Sequence, residues 1–189
     1  MFSGLTKKRS IGVIEMTESL SDARLMELGF RGATACQAAG ISYRQLDYWA
    51  RTGLVEPTIR SASGSGSHRL YGFKDILVLK IVKRLLDTGV SLQNIRSAVT
   101  HLRNRGSSDL AQITLMSDGA SIYECGNPEE IIDLLQGGQG VFGIAIGKVW
   151  NEVEGSLSRL QGEDPESGDI VVNSDSHDEL ASRRRLRGA

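Results

Sequence analysis

Two stretches near the middle of the chain repeat apolar residues with the period of an amphipathic helix. The first covers residues 73–88, and its apolar positions are Ile76, Leu79, Val82, Leu85 and Leu86. The second follows Ser91, and its apolar positions are Leu92, Ile95, Val99 and Leu102. Gly89 is placed to end the first helix and Ser91 to cap the second. The pattern predicts two packed helices that act as the scaffold of a domain.

A helix-turn-helix pattern precedes this scaffold. Thr34 is suited to cap a short helix of small residues, and Gly40 supplies the left-handed backbone that a tight turn between helices requires. Ser42 begins the next helix, in which Leu46 and Trp49 share one face while tyrosine and arginine side chains project from the others. A second helix of this kind is typical of DNA-binding helix-turn-helix proteins.

The segment between the turn and the scaffold is rich in small residues. Residues 58–68 contain two glycines and four serines, and Arg60, Arg69 and Tyr71 lie at the two ends. This composition predicts a hairpin with a mobile tip, and a basic hairpin beside a helix-turn-helix is a wing whose cations reach phosphates. An ordinary surface loop is the alternative. A phosphate-cradling loop is not indicated, because the Lys-Ser/Thr ending of such loops is absent.

A second, different pattern covers residues 106–160. Near-alternating apolar residues flank the Asp118–Gly119 pair, which predicts a β-hairpin. Asn127 and Pro128 begin a helix, a strand follows at 141–146, and residues 149–160 form a last helix. The order ββαβα predicts a small α+β domain of a kind used for ligand sensing or dimerisation.

Composition separates the ends of the chain from these two modules. Residues 1–30 lack a sustained apolar period, although 20–28 could form a short helix around Leu25 and Leu28, and residues 161–189 are rich in Gly, Ser, Asp and Glu. Such segments bury too little apolar surface to offset the entropy of ordering. The predicted organisation is therefore α+β, with a flexible segment at 1–30, a winged helix at 31–105, a ββαβα domain at 106–160 and a disordered tail at 161–189.

Charge supports the same division. The 189-residue chain has a net charge of −1. Residues 31–105 nevertheless hold twelve Lys or Arg against four Asp or Glu, whereas residues 106–160 hold two against eight. A basic segment of this kind is the electrostatic footprint of a nucleic-acid binder. The longest apolar run, 140–147, is far below the roughly 20 residues of a membrane-spanning helix, so the expected location is cytoplasmic and nucleoid-associated.

The residues used for catalysis and metal binding are scattered. The three histidines, His68, His101 and His177, are isolated, and Cys36 and Cys125 are far apart in sequence. No Ser-His-Asp or Cys-His pattern is apparent. The glycine-rich stretch 137–140 follows a helix, which favours a helix end over a phosphate loop. We therefore expect no catalytic residues, no cofactor and no metal site.

Taken together, residues 32–105 resemble the MerR-type winged-helix transcription regulators. The matching positions are Gly40, Ile41 and Ser42 in the turn, Tyr48 and Trp49 as the aromatic pair, Gly53, Leu54 and Pro57 after the helix, Arg69 and Tyr71 in the wing, and 75–95 in the helical cap. Two departures stand out. Asp47 occupies the place where the family usually has Arg before the aromatic pair, and Gly106 to Ser108 interrupt the chain where the family's long dimerisation helix would grow.

The resemblance implies a homodimer that binds a promoter inverted repeat in double-stranded DNA and acts with RNA polymerase. Its DNA-binding residues would be Tyr43, Arg44 and Gln45 at base edges, and Tyr48, Arg51, Arg60, Arg69 and Tyr71 at phosphates. Because Asp47 cannot bind a phosphate as the family's Arg does, that interaction would be absent or supplied by Arg44 or Arg51. The two-fold contact would come from the acidic module or from the outer faces of the two scaffold helices.

The segment 43–52 and the acidic module resemble an actinobacterial, FtsR-like subgroup of this family, which implies a cell-division gene as target. Two other functions stay open at this point. One is an architectural or excisionase-like DNA-bending protein, which would cover the genome broadly instead of a few sites. The other is a metabolite-binding enzyme with an auxiliary winged helix, for which the sequence offers no catalytic residues.

Overall fold

The computed structural model describes residues 23–61, 68–136 and 142–172. Its first half begins with a helical turn at 23–27, here α1. The elements that follow are β1 (Phe30–Arg31), α2 (Gly32–Ala39), α3 (Tyr43–Arg51), β2 (Leu70–Tyr71), α4 (Phe73–Asp87) and α5 (Leu92–Arg103). β1 pairs antiparallel with β2, and Arg60 forms an antiparallel bridge with Leu70, so the base of the wing is a small sheet.

The second half contains a three-stranded antiparallel sheet and a hairpin. Its elements are α6 (Ser107–Leu110), β3 (Thr114–Ser117), β4 (Ile122–Cys125), α7 (Pro128–Gln136), β5 (Phe142–Ala145), α8 (Ile146–Leu157), β6 (Gln161–Glu163) and β7 (Ile170–Val172). The sheet has the order β4-β3-β5, and β6 pairs with β7. The Asp118–Gly119 turn joins β3 to β4, as predicted, with Gly119 in the left-handed region at φ 89°.

Local sequence explains how the helices of the first half begin and end. Gly40 closes α2 with φ 72°, the left-handed conformation predicted for the turn. Ser42 and Gln45 form a reciprocal capping box at the start of α3. The Ser91 side chain accepts a hydrogen bond from the Asn94 backbone N–H at the start of α5. The predicted helix starts at Ser42 and Ser91 are confirmed.

Helix α4 is the centre of the molecule. Nine of its fifteen residues are buried, and α2, α5 and α8 pack around it. One of the nine is Asp75, whose Oδ2 accepts hydrogen bonds from the backbone N–H groups of Gly72 and Thr58 at 2.9 and 2.8 Å. Burial raises the pKa of Asp75 above its ordinary value, and the hydrogen bonds from Thr58 and Gly72 partly oppose that rise. The carboxylate thereby joins the start of α4 to the chain entering the wing.

The two predicted modules share one hydrophobic core. α8 packs against α4 and α2, and its inward side chains Ile146, Val149, Val153 and Leu157 are completely buried. The rings of Phe73 on α4 and Trp150 on α8 lie with centroids 4.7 Å apart. α8 therefore packs directly on helices of the winged helix, and the two segments that the sequence predicts as separate modules share one hydrophobic core.

The predicted tails also need correction. The sequence predicts disorder at 161–172, but these residues form the β6–β7 hairpin, and the backbone N–H and C=O groups of Gly29 and Glu163 bond reciprocally at 2.8 and 2.7 Å. It predicts flexibility at 23–30, yet Leu25, Leu28 and Phe30 are at most 4% exposed. Gly162 packs against Leu28 and Phe30, so each segment covers apolar surface of the other. The order of both segments therefore depends on this tertiary contact and not on a long apolar period.

Several predicted features lie outside the described residues. They are the tip of the wing at 62–67, the glycine-rich stretch 137–140, and the arginines at 183–185 and 187. Within the described ranges, no helix is long and apolar enough to cross a membrane.

Candidate nucleic-acid interface

Helix α3 has one buried face and one exposed face. Leu46 and Trp49 are only 2% and 3% exposed, and they anchor the helix on the core. On the other side Tyr43 and Tyr48 are 65% and 47% exposed, and Arg44 and Arg51 also face solvent. Large aromatic rings left in water beside cations are typical of a binding surface. The structure thus gathers four of the predicted DNA-binding residues on one outward face.

Gln45 has a different place from the other predicted base-contacting residues. Its Oε1 accepts hydrogen bonds from the Ser42 backbone N–H at 2.9 Å and from the Ser42 hydroxyl at 3.1 Å. The oxygen therefore stabilises the start of α3, and only the Nε2 end of the amide is left to approach a base. Sequence alone could have suggested this, because Ser42 and Gln45 have the spacing of a capping box.

Asp47 links the recognition face of α3 to the wing. Its Oδ2 accepts a hydrogen bond from Arg51 Nε at 2.9 Å, and its Oδ1 accepts one from Arg69 Nη1 at 2.9 Å. The hydrogen bond from Arg69 is the main cause that lowers the pKa of Asp47 below its usual range. The departure noted in the sequence thus replaces one cation by a carboxylate that holds two others.

Tyr71 does not lie on the surface. Its side chain is fully buried beside β1, and burial raises its pKa to about 12. The predicted contact between Tyr71 and a phosphate is therefore wrong. Tyr71 comes two residues after Arg69, so both side chains lie on the same side of the extended chain and both line the groove between α3 and the wing. They differ in depth, because the Arg69 side chain keeps 25% of its surface exposed and Tyr71 keeps none.

Arg60 is held by a residue from the end of the described chain. Its Nη1 lies 3.3 Å from Glu163 Oε1, and the other oxygen of Glu163 lies 2.7 Å from Arg31 Nε. Sequence reasoning missed both Arg31 and Glu163, since Arg31 carries no motif and Glu163 falls in a segment expected to be disordered. Only the pairing of β6 beside β1 brings the three side chains together.

A groove runs between α3 and the base of the wing. It encloses about 450 Å³, and its lining includes Arg31, Tyr43, Asp47, His68 and Arg69. The two arginines outnumber the single carboxylate, so these side chains make the groove net positive. Its position between a helix and a wing suits a phosphate backbone more than a small neutral ligand.

A second cavity of about 450 Å³ lies between α5 and the β3–β4 hairpin. In its lining Glu124 forms an ion pair with Arg105, and the Glu124 Oε2 atom lies 2.6 Å from His101 Nε2. Elsewhere, burial raises the thiol pKa of both Cys36 and Cys125. The described ranges contain no group of three or more His, Cys, Asp or Glu able to hold a metal ion.

The part of the chain that contains α3 and the wing is similar to known proteins. The family model described as MerR HTH family regulatory protein matches residues 30–102. An uncharacterised HTH-type transcriptional regulator of Mycobacterium tuberculosis (strain H37Rv) is 64% identical over 160 residues, covering 85% of this chain and 70% of that protein. The HTH-type transcriptional regulator HmrR of Sinorhizobium medicae is 34% identical over 83 residues, 43% of this chain and 54% of its own length. Heavy metal-dependent transcription regulator 1 of Rhizobium meliloti is 33% identical over 86 residues, 44% and 56% of the two chains.

Proposed function

Because the chain belongs to the MerR HTH family of transcriptional regulators, we propose that it binds promoter DNA by placing α3 in the major groove. One observation carries this proposal: α3 buries Leu46 and Trp49 and leaves two tyrosines and two arginines exposed on its outer face. A helix that entered no groove would gain nothing from exposing Tyr43 to that extent.

The exposed residues of α3 divide by position. Tyr43 and Arg44 lie in the first turn, which in helix-turn-helix proteins contacts base edges. Tyr48 and Arg51 lie one to two turns later and are proposed to contact phosphates. Arg69 lines the protein groove between α3 and the wing, and its ion pair with Asp47 fixes its position there. Gln45 contributes through its capping role and its Nε2 group.

Two variants separate these roles. Arg44→Ala should mainly erode discrimination between cognate and scrambled duplexes, by about 1–3 kcal/mol for a good base contact. Arg51→Ala should weaken binding to both duplexes alike and reduce the salt slope by about one phosphate contact. Fluorescence anisotropy at several salt concentrations measures both. Unchanged affinity and slope in both variants would exclude α3 as the recognition helix.

We further propose that the protein acts as a homodimer on an inverted repeat, since one winged helix reads too few base pairs to find a single genomic site. Nine of the fifteen residues of α4 are buried, which leaves little apolar surface on this scaffold helix for a second copy. Helix α7 buries none of its residues, and its Ile132 and Leu135 are 50% and 52% exposed. A second copy packed against α7 would remove both side chains from water.

The dimer proposal has its own test. Ile132→Ser with Leu135→Ser should lower the mass of the full chain in light scattering from two copies to one without loss of secondary structure, because neither side chain is in the core. The monomer should then protect a single half-site in a footprint. A wild-type protein that is monomeric both free and on DNA would exclude the homodimer.

The promoter targets follow from the subgroup resemblance. We propose that they include a cell-division gene, and that RNA polymerase is the partner at the promoter. Genome-wide mapping of bound sites tests this directly. Peaks at a few promoters would support a regulator, whereas broad coverage would support an architectural DNA-bending protein.

A further inference from the structure

A carboxylate near the end of the described chain sits behind two arginines at the base of the wing. Glu163 Oε2 lies 2.7 Å from Arg31 Nε, and Oε1 lies 3.3 Å from Arg60 Nη1. The Glu163 side chain is only 5% exposed, while those of Arg31 and Arg60 are 49% and 42% exposed. The acid is therefore hidden, and both guanidinium groups keep a face towards solvent.

The strand that carries Glu163 is fixed to the core. Its backbone N–H and C=O bond to Gly29, an isolated antiparallel bridge that places the separate β6–β7 hairpin beside the start of β1. Gly162 fits so closely that a Cβ there would lie 2.9 Å from Leu28 Cδ1. Arg60 Nη2 also donates to the Pro165 carbonyl at 3.5 Å. Backbone hydrogen bonds, close packing and ion pairs all fix this strand in place. It is therefore suited to position side chains, and poorly suited to move away from the wing.

The position of Arg31 connects this cluster to the DNA-binding face. Arg31 lines the same groove as Tyr43 and Arg69, although it comes from β1 and not from α3 or the wing. One hidden carboxylate against two cations leaves a net charge of about +1 directed outwards. Arginine held by a carboxylate loses less side-chain freedom when it then binds a phosphate.

We propose that Arg31 and Arg60 form a phosphate-binding pair for the DNA backbone and that Glu163 is the positioning residue of this pair. The proposal rests on the DNA-binding function proposed above, and it makes the β6–β7 hairpin a part of the DNA-binding surface. It gives a role in DNA binding to two residues that belong neither to α3 nor to the hairpin of the wing, Arg31 as a phosphate contact and Glu163 as its positioning residue.

The first experiment counts phosphates. Binding of the full-length protein to a cognate duplex is titrated over a range of salt concentrations for Arg31→Ala and for Lys148→Ala, an exposed lysine on α8. Both variants lose one positive charge. Arg31→Ala should weaken binding about tenfold and lower the salt slope by about 0.9, the value for one phosphate contact. A slope no more changed than that of Lys148→Ala would overturn the assignment.

The second experiment uses the sign of a charge effect. Glu163→Gln and Glu166→Gln each remove one negative charge from the β6–β7 hairpin, but the exposed Glu166 is not among the contacts of either arginine. General electrostatics predicts slightly tighter DNA binding for both variants. If Glu163 positions the two arginines, Glu163→Gln alone should instead lose affinity for DNA several-fold. Binding by Glu163→Gln that is as tight as wild type or tighter would overturn the proposal, because the acid would then be neutral or a competitor of DNA.

Two further readouts guard the result. If Glu163→Gln fails to fold, Arg31→Lys, which keeps the charge at a half-exposed site, replaces it and should lose affinity at an unchanged slope; full wild-type affinity would count against positioning. The second readout is an NMR titration of the free protein with inorganic phosphate. If the chemical shift of the Arg31 Nε–H group reaches a plateau at millimolar phosphate, the pair is a site for free anions and the assignment to DNA fails. Failure of the whole DNA-binding function would differ from both, since Arg44→Ala and Arg51→Ala would then also have no effect.

Discussion

The two halves of the molecule differ in charge, but they share one hydrophobic core. Residues 31–105 carry twelve basic side chains against four acidic ones, and the second half is acidic. Three carboxylates of the second half each face two basic side chains of the first. They are Glu124 with His101 and Arg105, Glu152 with Lys80 and Arg84, and Glu163 with Arg31 and Arg60. A segregated charge pattern therefore marks an interface within the chain as well as a surface for DNA.

The ion pairs orient the halves, but apolar burial holds them together. Exposed ion pairs contribute about 0–1 kcal/mol each. Each fully buried aliphatic side chain contributes about 1.5–3 kcal/mol, and α8 buries four of them against the first half. Before the entropy cost of ordering, the four side chains together contribute about 6–12 kcal/mol, which is as large as the roughly 5–15 kcal/mol net stability of a whole domain. The winged helix and the second half should consequently fold as one unit.

The largest effect should come from removing the second half. A chain that stops after Arg105 exposes the side of α4 on which α8 packs, and we expect it to be unfolded or aggregated. Circular dichroism and light scattering measure this, with the full chain as reference. A soluble, cooperatively folding fragment would show that the halves are independent, as the sequence suggests.

A single cavity at the contact should destabilise both halves together. Leu157→Ala removes a fully buried side chain from α8 and should cost about 2–5 kcal/mol. The two tryptophans lie one in each half, Trp49 on α3 and Trp150 on α8, so single-tryptophan variants report each half separately.

Both reporters should give the same urea midpoint, shifted equally by Leu157→Ala. The matched control is Ile170→Ala on β7, a side chain 49% exposed, which should shift neither midpoint. Two separate midpoints would contradict the shared core.

A smaller loss is expected from one methyl group at the start of α8. A Cβ on Gly147 would lie 2.5 Å from the Ala111 carbonyl oxygen, so Gly147→Ala must displace backbone and should cost about 1–3 kcal/mol. Gly155 lies in the same helix with nothing within 4 Å of its would-be Cβ, and Gly155→Ala should instead stabilise by about 0.5–1 kcal/mol. Thermal unfolding of both variants gives the two signs, and equal effects would refute the close approach.

The smallest effect should come from an exposed ion pair across the contact. Burial raises the pKa of Glu152, but hydrogen bonds and charge from Arg84 and Lys80 outweigh it, so the pKa is lowered overall. A lowered folded-state pKa stabilises the protein above the ordinary glutamate pKa, and that stabilisation is lost as pH falls through the folded value. Glu152→Gln should cost less than about 1 kcal/mol at pH 7 and nothing at high salt. A destabilisation that persists in about 1 M salt, where charges are screened within a few ångströms, would point to packing instead of charge.

Patterns of neighbouring residues predicted much of the first half. Three of these features are the capped starts of α3 and α5 and the turn at Gly40. Each depends on contacts within about four residues, which a sequence displays directly, and the same local pattern identified the helix-turn-helix family. The same holds for the α3 face that carries Arg44 and Arg51, since a helix of known register has a known outer side.

Other features depended on partners far along the chain, and only the tertiary structure decided them. Glu163 meets Arg31 across 132 residues and becomes part of the proposed DNA-facing surface only because β6 pairs beside β1. The sequence places Tyr71 at phosphates, yet the sheet turns it into the core. Short polar strands such as β6 have no apolar period of their own, and what orders them is surface supplied by a distant element. The sequence determined which helices form and which face of α3 is free, while packing determined that the acidic half is built into the basic one.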